Sequence, residues 1–482
     1  MMRPKRLLIA ALIVAMTGIS EAAKLTPPTN FPDQPPVGKL LKPTHLPKAF
    51  SKKLENGMEV LVIANHEIPY VSVGWYLLTG AKVDPPQKAG LADTTASLLK
   101  QGTTEHSPDQ FTELLELYAI SFSSGAGHET SYVHVGTMNR HLDRAVQMMA
   151  EAIRRPIFDK NEFRRYIQQV LTDLAVAEKE GSYLASREFE RRIYGNHYLA
   201  RPSEGTTETI KKIKHDDLAA FHKKNYLPNQ SLLIFSGAVT NQLAVELAEK
   251  YFGDWKRGSP VQIPKTEFPK LNQTTIFLVD RPDATQTQIR IGLLGFTRNH
   301  PAYITSQVFN QIFGSGFSSR LNKRVRIKEG LTYGIWGSFS AGKQPGRLNI
   351  GTYTQNQQTA KTLRIILEEI ERMRTDPPNT EELGDAQSYL IGRFGLSMET
   401  PQAVAGKVFE LKFYDLPDDY FDTYLDQIVK VDAEGISGFA KAKIDSNKLV
   451  IVLVGKAQDF EDHLKDIAPV IKVNQEQTVP QE

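Results

Sequence analysis

Hydrophobic and polar positions divide the chain beyond residue 50 into alternating strand and helix patterns. Short apolar runs, such as residues 231–235 (SLLIF), have the length of buried strands. Other stretches repeat their apolar positions with helical spacing, since Ile304, Val308 and Ile312 lie four residues apart and share one helix face. Strands mixed with grouped helices predict an α+β fold with mixed or antiparallel sheets, each covered by helices on one face.

The same pattern occurs twice along the chain. Residues 213–237 and 431–455 match without a gap, each as a polar-capped helix, a short loop and a strand that ends at a glycine. The first strands of the two blocks, near Leu54 and Leu271, repeat at almost the same offset. Matching offsets at both ends of the blocks predict two duplicated domains.

Each half is predicted to open with a hairpin of two strands, 58–63 with 70–78 in the first half and 275–279 with 288–294 in the second. Proline-containing stretches then suggest where the domains begin and end. The predicted boundaries are a signal peptide at 1–23, a Pro-rich arm at 24–50, an N-terminal domain at 51–255, a linker at 256–270, a C-terminal domain at 271–472 and a tail at 473–482.

The N-terminus has the three parts of a secretory signal peptide. Arg3, Lys5 and Arg6 precede an apolar run from Leu7 to Ile19, and small residues follow at 22–23. The run is shorter than the ~20 residues that a membrane-spanning helix needs. We therefore expect cleavage after residue 22 or 23 and export, with the periplasm as the expected compartment and no stable membrane span. An uncleaved membrane anchor is the alternative.

Charge and cysteine content narrow the possible functions. Lys and Arg total 58 against 55 Asp and Glu in 482 residues, so the net charge of +3 gives no electrostatic case for a nucleic-acid partner. The chain has no cysteine, which excludes disulfides, thiolate metal sites and cysteine nucleophiles. The absence of cysteine also fits an oxidising compartment, where a free thiol is reactive.

Several short segments carry a more specific signal through their order and spacing. They are 90–92 (GLA), 192–197 (RIYGNH), 225–229 (NYLPN), 318–321 (SSRL) and 330–333 (GLTY). In these segments the chain resembles the pitrilysin/insulinase (M16) family of zinc metallopeptidases, in particular its smaller two-domain members, which pair as dimers. The resemblance extends from about Leu54 to Val470 and implies the fold of that family.

The family's chemistry uses the motif His-x-x-Glu-His, in which two histidines on one helix face hold zinc and the glutamate acts as general base. The matching positions here are Asp93, Ala96 and Ser97, and the family's third ligand falls at Gln169 or Asp173. Ala96 cannot accept a proton and Ser97 is a poor zinc ligand. The resemblance therefore implies that this chain holds no catalytic zinc.

Two other family features are retained. Arg326 and Tyr333 are similar to the family's Arg/Tyr pair, which contacts the peptide being cleaved; a guanidinium and a phenol can donate to its carbonyl or oxyanion. The segment with Ser123, Ser124 and Gly125 resembles the edge strand to which an extended peptide adds as a further strand. Without the family, these features are typical of a solvated basic helix face and an ordinary edge strand.

This combination matches the non-catalytic subunit of two-subunit family members. We expect a substrate-binding subunit of an exported heterodimeric zinc metalloendopeptidase, inactive alone, whose partner bears His-x-x-Glu-His and the zinc. Arg326 and Tyr333 would then reach the partner's site, where extended peptides are hydrolysed. One alternative is a peptide-binding or structural scaffold of the same fold. A self-sufficient peptidase would need zinc at Asp93 and Ser97.

Overall fold

Two six-stranded mixed sheets form the framework of the protein in a computed structural model that describes residues 46–263 and 265–473. The predicted signal peptide, most of the predicted arm and nearly all of the predicted tail lie outside the described residues. The first sheet contains β1 (Phe50–Lys53), β2 (Glu59–Ala64), β3 (Tyr70–Leu77), β4 (Ser121–Ala126), β5 (Ser131–Met138) and β6 (Ser231–Gly237), in the order β1-β2-β6-β3-β5-β4.

The second sheet belongs to the second half of the chain, which also carries a short parallel ribbon of β9 (Phe296–Thr297) and β11 (Ala341–Gly342). The sheet strands are β7 (Thr275–Asp280), β8 (Gln286–Leu294), β10 (Ile335–Phe339), β12 (Arg347–Gln355), β13 (Val450–Gly455) and β14 (Val470–Lys472). Their order is β10-β12-β8-β13-β7-β14.

Five strands of each sheet share one topology, which confirms the predicted duplication. In each sheet a parallel pair, β2 with β6 or β7 with β13, continues through three antiparallel strands to one edge. The opposite edges differ, because β1 is antiparallel to β2 whereas β14 is parallel to β7. The terminal strands of both repeats end at a glycine, as the sequence pattern predicted.

The predicted opening hairpins are wrong. β2 and β3 both belong to the first sheet, but β6 lies between them and pairs with each. In the second sheet β13 separates β7 from β8 in the same way. The connections from β2 to β3 and from β7 to β8 are longer than a two-residue hairpin turn. Each is long enough for the chain to pass across the inserted strand.

Helices of both halves pack around these sheets. In the first half they are α1 (Leu91–Ser97), α2 (Pro108–Leu117), α3 (Leu142–Arg154), α4 (Lys160–Ala177), α5 (Gly181–Tyr194), α6 (Thr207–Lys211), α7 (His215–Asn225) and α8 (Asn241–Phe252). In the second half they are α9 (Tyr303–Asn310), α10 (Thr359–Thr375), α11 (Thr380–Leu396), α12 (Pro401–Phe413), α13 (Tyr420–Val429) and α14 (Ala433–Lys443). Within the described ranges, no helix has the length and apolar character needed to cross a membrane.

Each sheet is covered on both faces, contrary to the expectation of one covered face. One face of the first sheet packs on helices of its own half, and the other packs on α12, where Val408 and Leu411 meet Leu61 and Ile234. The second sheet receives α5 of the first half, whose Phe189 is completely buried among residues of β7 and β13. Two-sided burial explains why β6 and β13 are buried at every position and mostly apolar.

Candidate functional site

The helix that carries the positions of the family's zinc motif starts from a tight, buried turn. Gly90 adopts a left-handed conformation with φ of 97°, and a Cβ there would lie 2.7 Å from Ile210 and 2.8 Å from the Glu204 carbonyl oxygen. The Asp84 carboxylate accepts the N–H groups of Gly90 at 2.9 Å and Ala92 at 3.0 Å. These bonds satisfy the start of α1, and burial raises the pKa of Asp84 to about 7.

Asp93, Ala96 and Ser97 lie on α1, where Ala96 and Asp93 contribute to packing and hydrogen bonding within the fold. Ala96 is fully buried. Asp93 accepts hydrogen bonds from the Ala126 N–H at 3.1 Å and from the Tyr166 hydroxyl at 3.4 Å. Burial raises the pKa of Asp93, and the bond from Ala126 partly offsets that rise. The carboxylate therefore joins α1 to the end of β4.

The two residues proposed for the third ligand position lie on α4, and neither contacts Asp93 in a hydrogen bond that the structure shows. Gln169 and Asp173 are exposed, and the Gln169 amide donates to the Asp173 carboxylate at 2.9 Å. Tyr166 is the residue of α4 that contacts Asp93, which the sequence analysis missed. Burial and the negative charge of Asp93 raise the pKa of Tyr166 to about 12, so the phenol stays protonated and donates.

The side chains at the motif positions do not fit the zinc ion that the active members of the family bind. A catalytic zinc site of this family needs two histidines as ligands and a glutamate as general base. The corresponding residues here are Asp93, Ala96 and Ser97, and the Asp93 carboxylate already accepts hydrogen bonds from an N–H and a phenol. Within the part of the chain that the structure describes, no group of three or more His, Cys, Asp or Glu side chains could hold a metal ion.

The segment proposed to bind peptide is an edge strand, because β4 is the last strand of the first sheet. Alternate residues of an antiparallel pair direct their main-chain groups toward or away from the partner. The Gly127 N–H donates to Thr130, so Ser123 and Gly125 also direct their main-chain groups toward β5. Ser124 directs its N–H and C=O toward the open edge, on the side where the Ala126 N–H reaches Asp93.

The side chains around this edge strand define its two faces. Ser123 is exposed and lies opposite His134 in the register of β4 and β5. Gly125 lies against the Tyr132 ring, since a Cβ at this position would come within 3.0 Å of the Tyr132 hydroxyl oxygen. A larger residue at this position would therefore require the Tyr132 phenol to shift. Phe122 packs instead against the hydrophobic core between the first sheet and the helices of its own half.

Arg326 and Tyr333 line one cavity of about 490 Å³ in the second half of the chain. Arg326 lies on a π-helical segment, Asn322–Lys328, and Tyr333 lies in the loop before β10. The Arg326 guanidinium stands 4.9 Å from the centre of the exposed Phe317 ring. Tyr333 is 82% exposed. The structure thus brings the proposed pair together with both side chains accessible.

Threonines hold the loop that presents Tyr333. The Thr352 hydroxyl donates to the Gly334 carbonyl at 2.9 Å, and Thr332 makes a 3.0 Å bond to the same oxygen. The Thr354 hydroxyl donates to the Leu331 carbonyl at 2.8 Å. No sequence pattern identified these threonines as part of the site. The alternation of Thr352 and Thr354 along β12 shows only that these two share one sheet face.

Arg326 belongs to a run of basic residues between 320 and 328, and this run is not a uniform solvated face. Arg320 is buried and forms two 2.9 Å bonds to the Glu382 carboxylate. Arg324 forms a 2.9 Å ion pair with Glu329. Both therefore have structural partners, whereas the guanidinium of Arg326 faces the Phe317 ring. The candidate residues form two groups, one around Asp93 and β4 and the other around Arg326.

Comparisons with known proteins cover both halves of the chain. A family profile described as insulinase (peptidase family M16) matches residues 59–207, and one described as peptidase M16 inactive domain matches residues 212–390. A Helicobacter pylori relative named non-peptidase homolog YmxG is 26% identical over 400 residues, covering 82% of this chain and 91% of the relative. A Bacillus subtilis relative named uncharacterized zinc protease YmxG is 22% identical over 388 residues, covering 80% and 93%.

Solved structures share the fold. A crystal structure of a peptidase M16 inactive domain from Pseudomonas fluorescens superposes with a TM-score of 0.79 at 24% identity, covering 85% of this chain and 98% of that one. A protease from Helicobacter pylori superposes with a TM-score of 0.78 at 17% identity, covering 85% and 100%. The family profiles, the shared fold and the altered motif positions lead to one conclusion. The chain belongs to the insulinase (M16) peptidase family and is one of its non-catalytic members.

Proposed function

We propose that this chain is the substrate-binding, non-catalytic subunit of an exported heterodimeric M16-type zinc metalloendopeptidase. Its partner carries the His-x-x-Glu-His motif with the zinc and the general base. The observation that carries the proposal is that Arg326 and Tyr333 line one accessible cavity, whereas Asp93, Ala96 and Ser97 do not form a zinc site. Arg326 and Tyr333 can therefore contribute to peptide hydrolysis, whereas Asp93, Ala96 and Ser97 cannot supply the zinc and the base that the reaction needs.

Arg326 and Tyr333 bind the peptide carbonyl at the bond that is cleaved. The Arg326 guanidinium is always charged, and both it and the Tyr333 phenol donate hydrogen bonds to an oxygen that becomes negative in the transition state. Ion pairs among the described residues do not include Arg326, so its charge is not neutralised by a carboxylate of this part of the chain. The threonine-held loop fixes the direction in which Tyr333 projects.

The edge of the first sheet holds the peptide in an extended conformation. The main-chain groups of Ser124 face the open edge, and a peptide can pair with them as an added strand. Such main-chain bonds give affinity with little dependence on the peptide sequence. Asp93 limits the length of this edge because it already accepts the Ala126 N–H.

Export is part of the proposal and is supported by the N-terminal sequence. The basic residues, the apolar run of 7–19 and the small residues at 22–23 have the order of a secretory signal. The lack of cysteine is compatible with an oxidising compartment. We expect the mature subunit in the periplasm.

A scaffold without any role in hydrolysis is the second candidate. It is favoured by the name of the Helicobacter pylori relative, a non-peptidase homolog, and by the hydrogen bonds that occupy Asp93. In this alternative Arg326 and Tyr333 have no role in hydrolysis. The two candidates therefore differ in whether a partner's peptidase activity depends on this chain.

A mixing experiment tests the proposed function. The mature chain, a His-x-x-Glu-His-bearing M16 chain from the same source and their mixture are assayed on a quenched fluorescent peptide, with zinc measured in each sample. We expect no cleavage by this chain alone and zinc-dependent cleavage by the mixture. A mixture whose partner has Gln for the motif Glu is the matched control. A stable complex without activity would favour the scaffold, and cleavage by this chain alone would contradict both candidates.

A further inference from the structure

The cavity that contains Arg326 and Tyr333 extends beyond the pair. Its wall continues over the end of β12 and the first turn of α10, where Lys361 lies. At about 490 Å³ the cavity has room for a peptide side chain in addition to the carbonyl that the pair is proposed to bind. Much of the added wall is polar, with the side chains of Gln286, Gln355 and Gln358.

The charges of this wall do not cancel. Glu329 is its carboxylate, and it is held between two cations, the Arg324 guanidinium at 2.9 Å and the Lys361 ammonium at 3.1 Å. The hydrogen bond from Lys361 also keeps the pKa of Glu329 below its usual value, so the carboxylate remains ionised. Among the described residues that line the cavity, Arg326 and Lys361 are cations and Glu329 is an anion, so the net charge of the lining is positive.

We propose that this cavity is a subsite for an acidic side chain of the bound peptide, Asp or Glu, and that Lys361 determines this specificity. The inference rests on the proposed function, in which Arg326 binds the neighbouring carbonyl. The Lys361 side chain is 54% exposed and can turn toward a ligand, and Glu329 then keeps its 2.9 Å ion pair with Arg324. Arg326 raises the local potential while it remains engaged with the peptide main chain.

The wall disfavours the other classes of side chain. A lysine or arginine of the peptide would approach Arg326 and Lys361 with like charge, which costs free energy at short range. A large apolar side chain would cover the amides of the glutamines without giving them hydrogen-bond partners. A glutamate can accept hydrogen bonds from Lys361 and from these amides together.

Peptide binding by the isolated full-length mature chain tests the subsite without the partner. Fluorescein-labelled alanine-based decapeptides carry a single Glu, Gln or Lys that is moved along the sequence, and affinity is measured by fluorescence anisotropy. At one position we expect Glu to bind about threefold more tightly than Gln and about tenfold more tightly than Lys, as exposed ion pairs allow. The preference should weaken in 0.5 M salt on the order of severalfold.

Matched variants separate the cavity from the basic surface around it. Lys361→Gln should abolish the preference for Glu over Gln, and Arg324 still holds Glu329 in this variant. Lys323→Gln makes the same change of charge at an exposed residue of the neighbouring π-helical segment and should keep the preference. Equal affinities for the Glu and Lys peptides, or a preference that survives Lys361→Gln, would overturn the inference.

The same peptides distinguish a failure of the subsite from a failure of the function. If the mixture with the partner cleaves the peptides but the Glu, Gln and Lys series are cleaved at equal kcat/KM, the subsite is wrong and the proposed function stands. If the chain alone prefers Glu through Lys361 and the mixture cleaves nothing, the subsite stands as a peptide-binding site and the subunit role is wrong.

Discussion

The Asp93 carboxylate accepts the main-chain N–H of Ala126 at 3.1 Å, and this bond joins the first position of the altered zinc motif to the edge strand β4. The Tyr166 hydroxyl approaches the other carboxylate oxygen at 3.4 Å. A side chain at a position where the family's motif has a zinc-binding histidine thus connects α1, β4 and α4. We infer that this site contributes to the architecture of the first half.

Removing the Asp93 carboxylate should destabilise the chain. Asp93→Ala leaves the Ala126 N–H and the Tyr166 hydroxyl without this acceptor, and we expect the free energy of unfolding to fall by about 1–3 kcal/mol. Urea unfolding measures the change, and hydrogen exchange at the Ala126 amide should become faster.

Asp93→Asn is the control for this experiment, because its amide oxygen can still accept the Ala126 N–H. It should retain most of the stability and slow exchange at Ala126. Unchanged stability and exchange in Asp93→Ala would show that the hydrogen bonds do not support the fold.

The stability of the chain should depend on pH through Asp84. Burial raises its pKa in the folded state to about 7, above the ordinary value of 3.8. Between these values the folded state keeps a proton that the unfolded state has lost, so this group's contribution to stability declines as pH rises from about 4 to 7. The slope can approach about 1.4 kcal/mol per pH unit.

Asp84→Asn removes this titration while keeping one acceptor for the N–H groups of Gly90 and Ala92. Urea unfolding of both proteins at several pH values gives the comparison. From pH 4 to pH 7 the wild type should lose unfolding free energy relative to the variant. A constant difference over this range would contradict the raised pKa.

The two halves should unfold in a single transition, because each sheet is covered by a helix of the other half. Phe189 of the first half is buried against the second sheet, and Phe189→Ala should cost about 3–5 kcal/mol. In a Trp336→Phe background, fluorescence reports only Trp75 and Trp255 of the first half, whereas circular dichroism reports the whole chain. Both signals should have the same midpoint, with and without Phe189→Ala; separate midpoints would rule out cooperative unfolding.

Tyr333 should affect turnover of the heterodimer and leave folding unchanged. Tyr333→Phe removes the phenolic donor from an exposed side chain, so we expect kcat to fall about 10²-fold with a small change in KM. The midpoint of thermal unfolding should move little, since few contacts are lost. Steady-state kinetics on the quenched peptide measure the effect, and an undiminished kcat would remove Tyr333 from the mechanism.

Much of the fold could be predicted from the sequence. The duplicated pattern identified the two repeats, and the strand predicted at 70–78 differs by one residue from β3. Strand pairing could not be predicted, because alternation shows that a residue run is a strand but not which strand lies beside it. This is why the predicted hairpins missed the insertion of β6 and β13.

Long-range packing was also beyond the sequence pattern. The apolar stripes of α5 and α12 would look the same whichever sheet they covered, so the exchange of helices between halves has no local signal. For the site, the resemblance located Arg326 and Tyr333, which the structure places in one cavity. Tyr166 was missed because its contact with Asp93 depends on how α4 packs against α1.

The most direct test of the proposed role is the turnover number of the heterodimer assembled with Arg326→Ala. Assembly is first verified by size-exclusion chromatography, and kcat is then measured on a quenched peptide at saturating concentration. We predict an intact complex whose kcat is lower by about 10²–10³-fold, because a donor to the developing oxyanion is missing. An assembled complex that cleaves at the wild-type rate would contradict the claim that this chain supplies Arg326 to its partner's site.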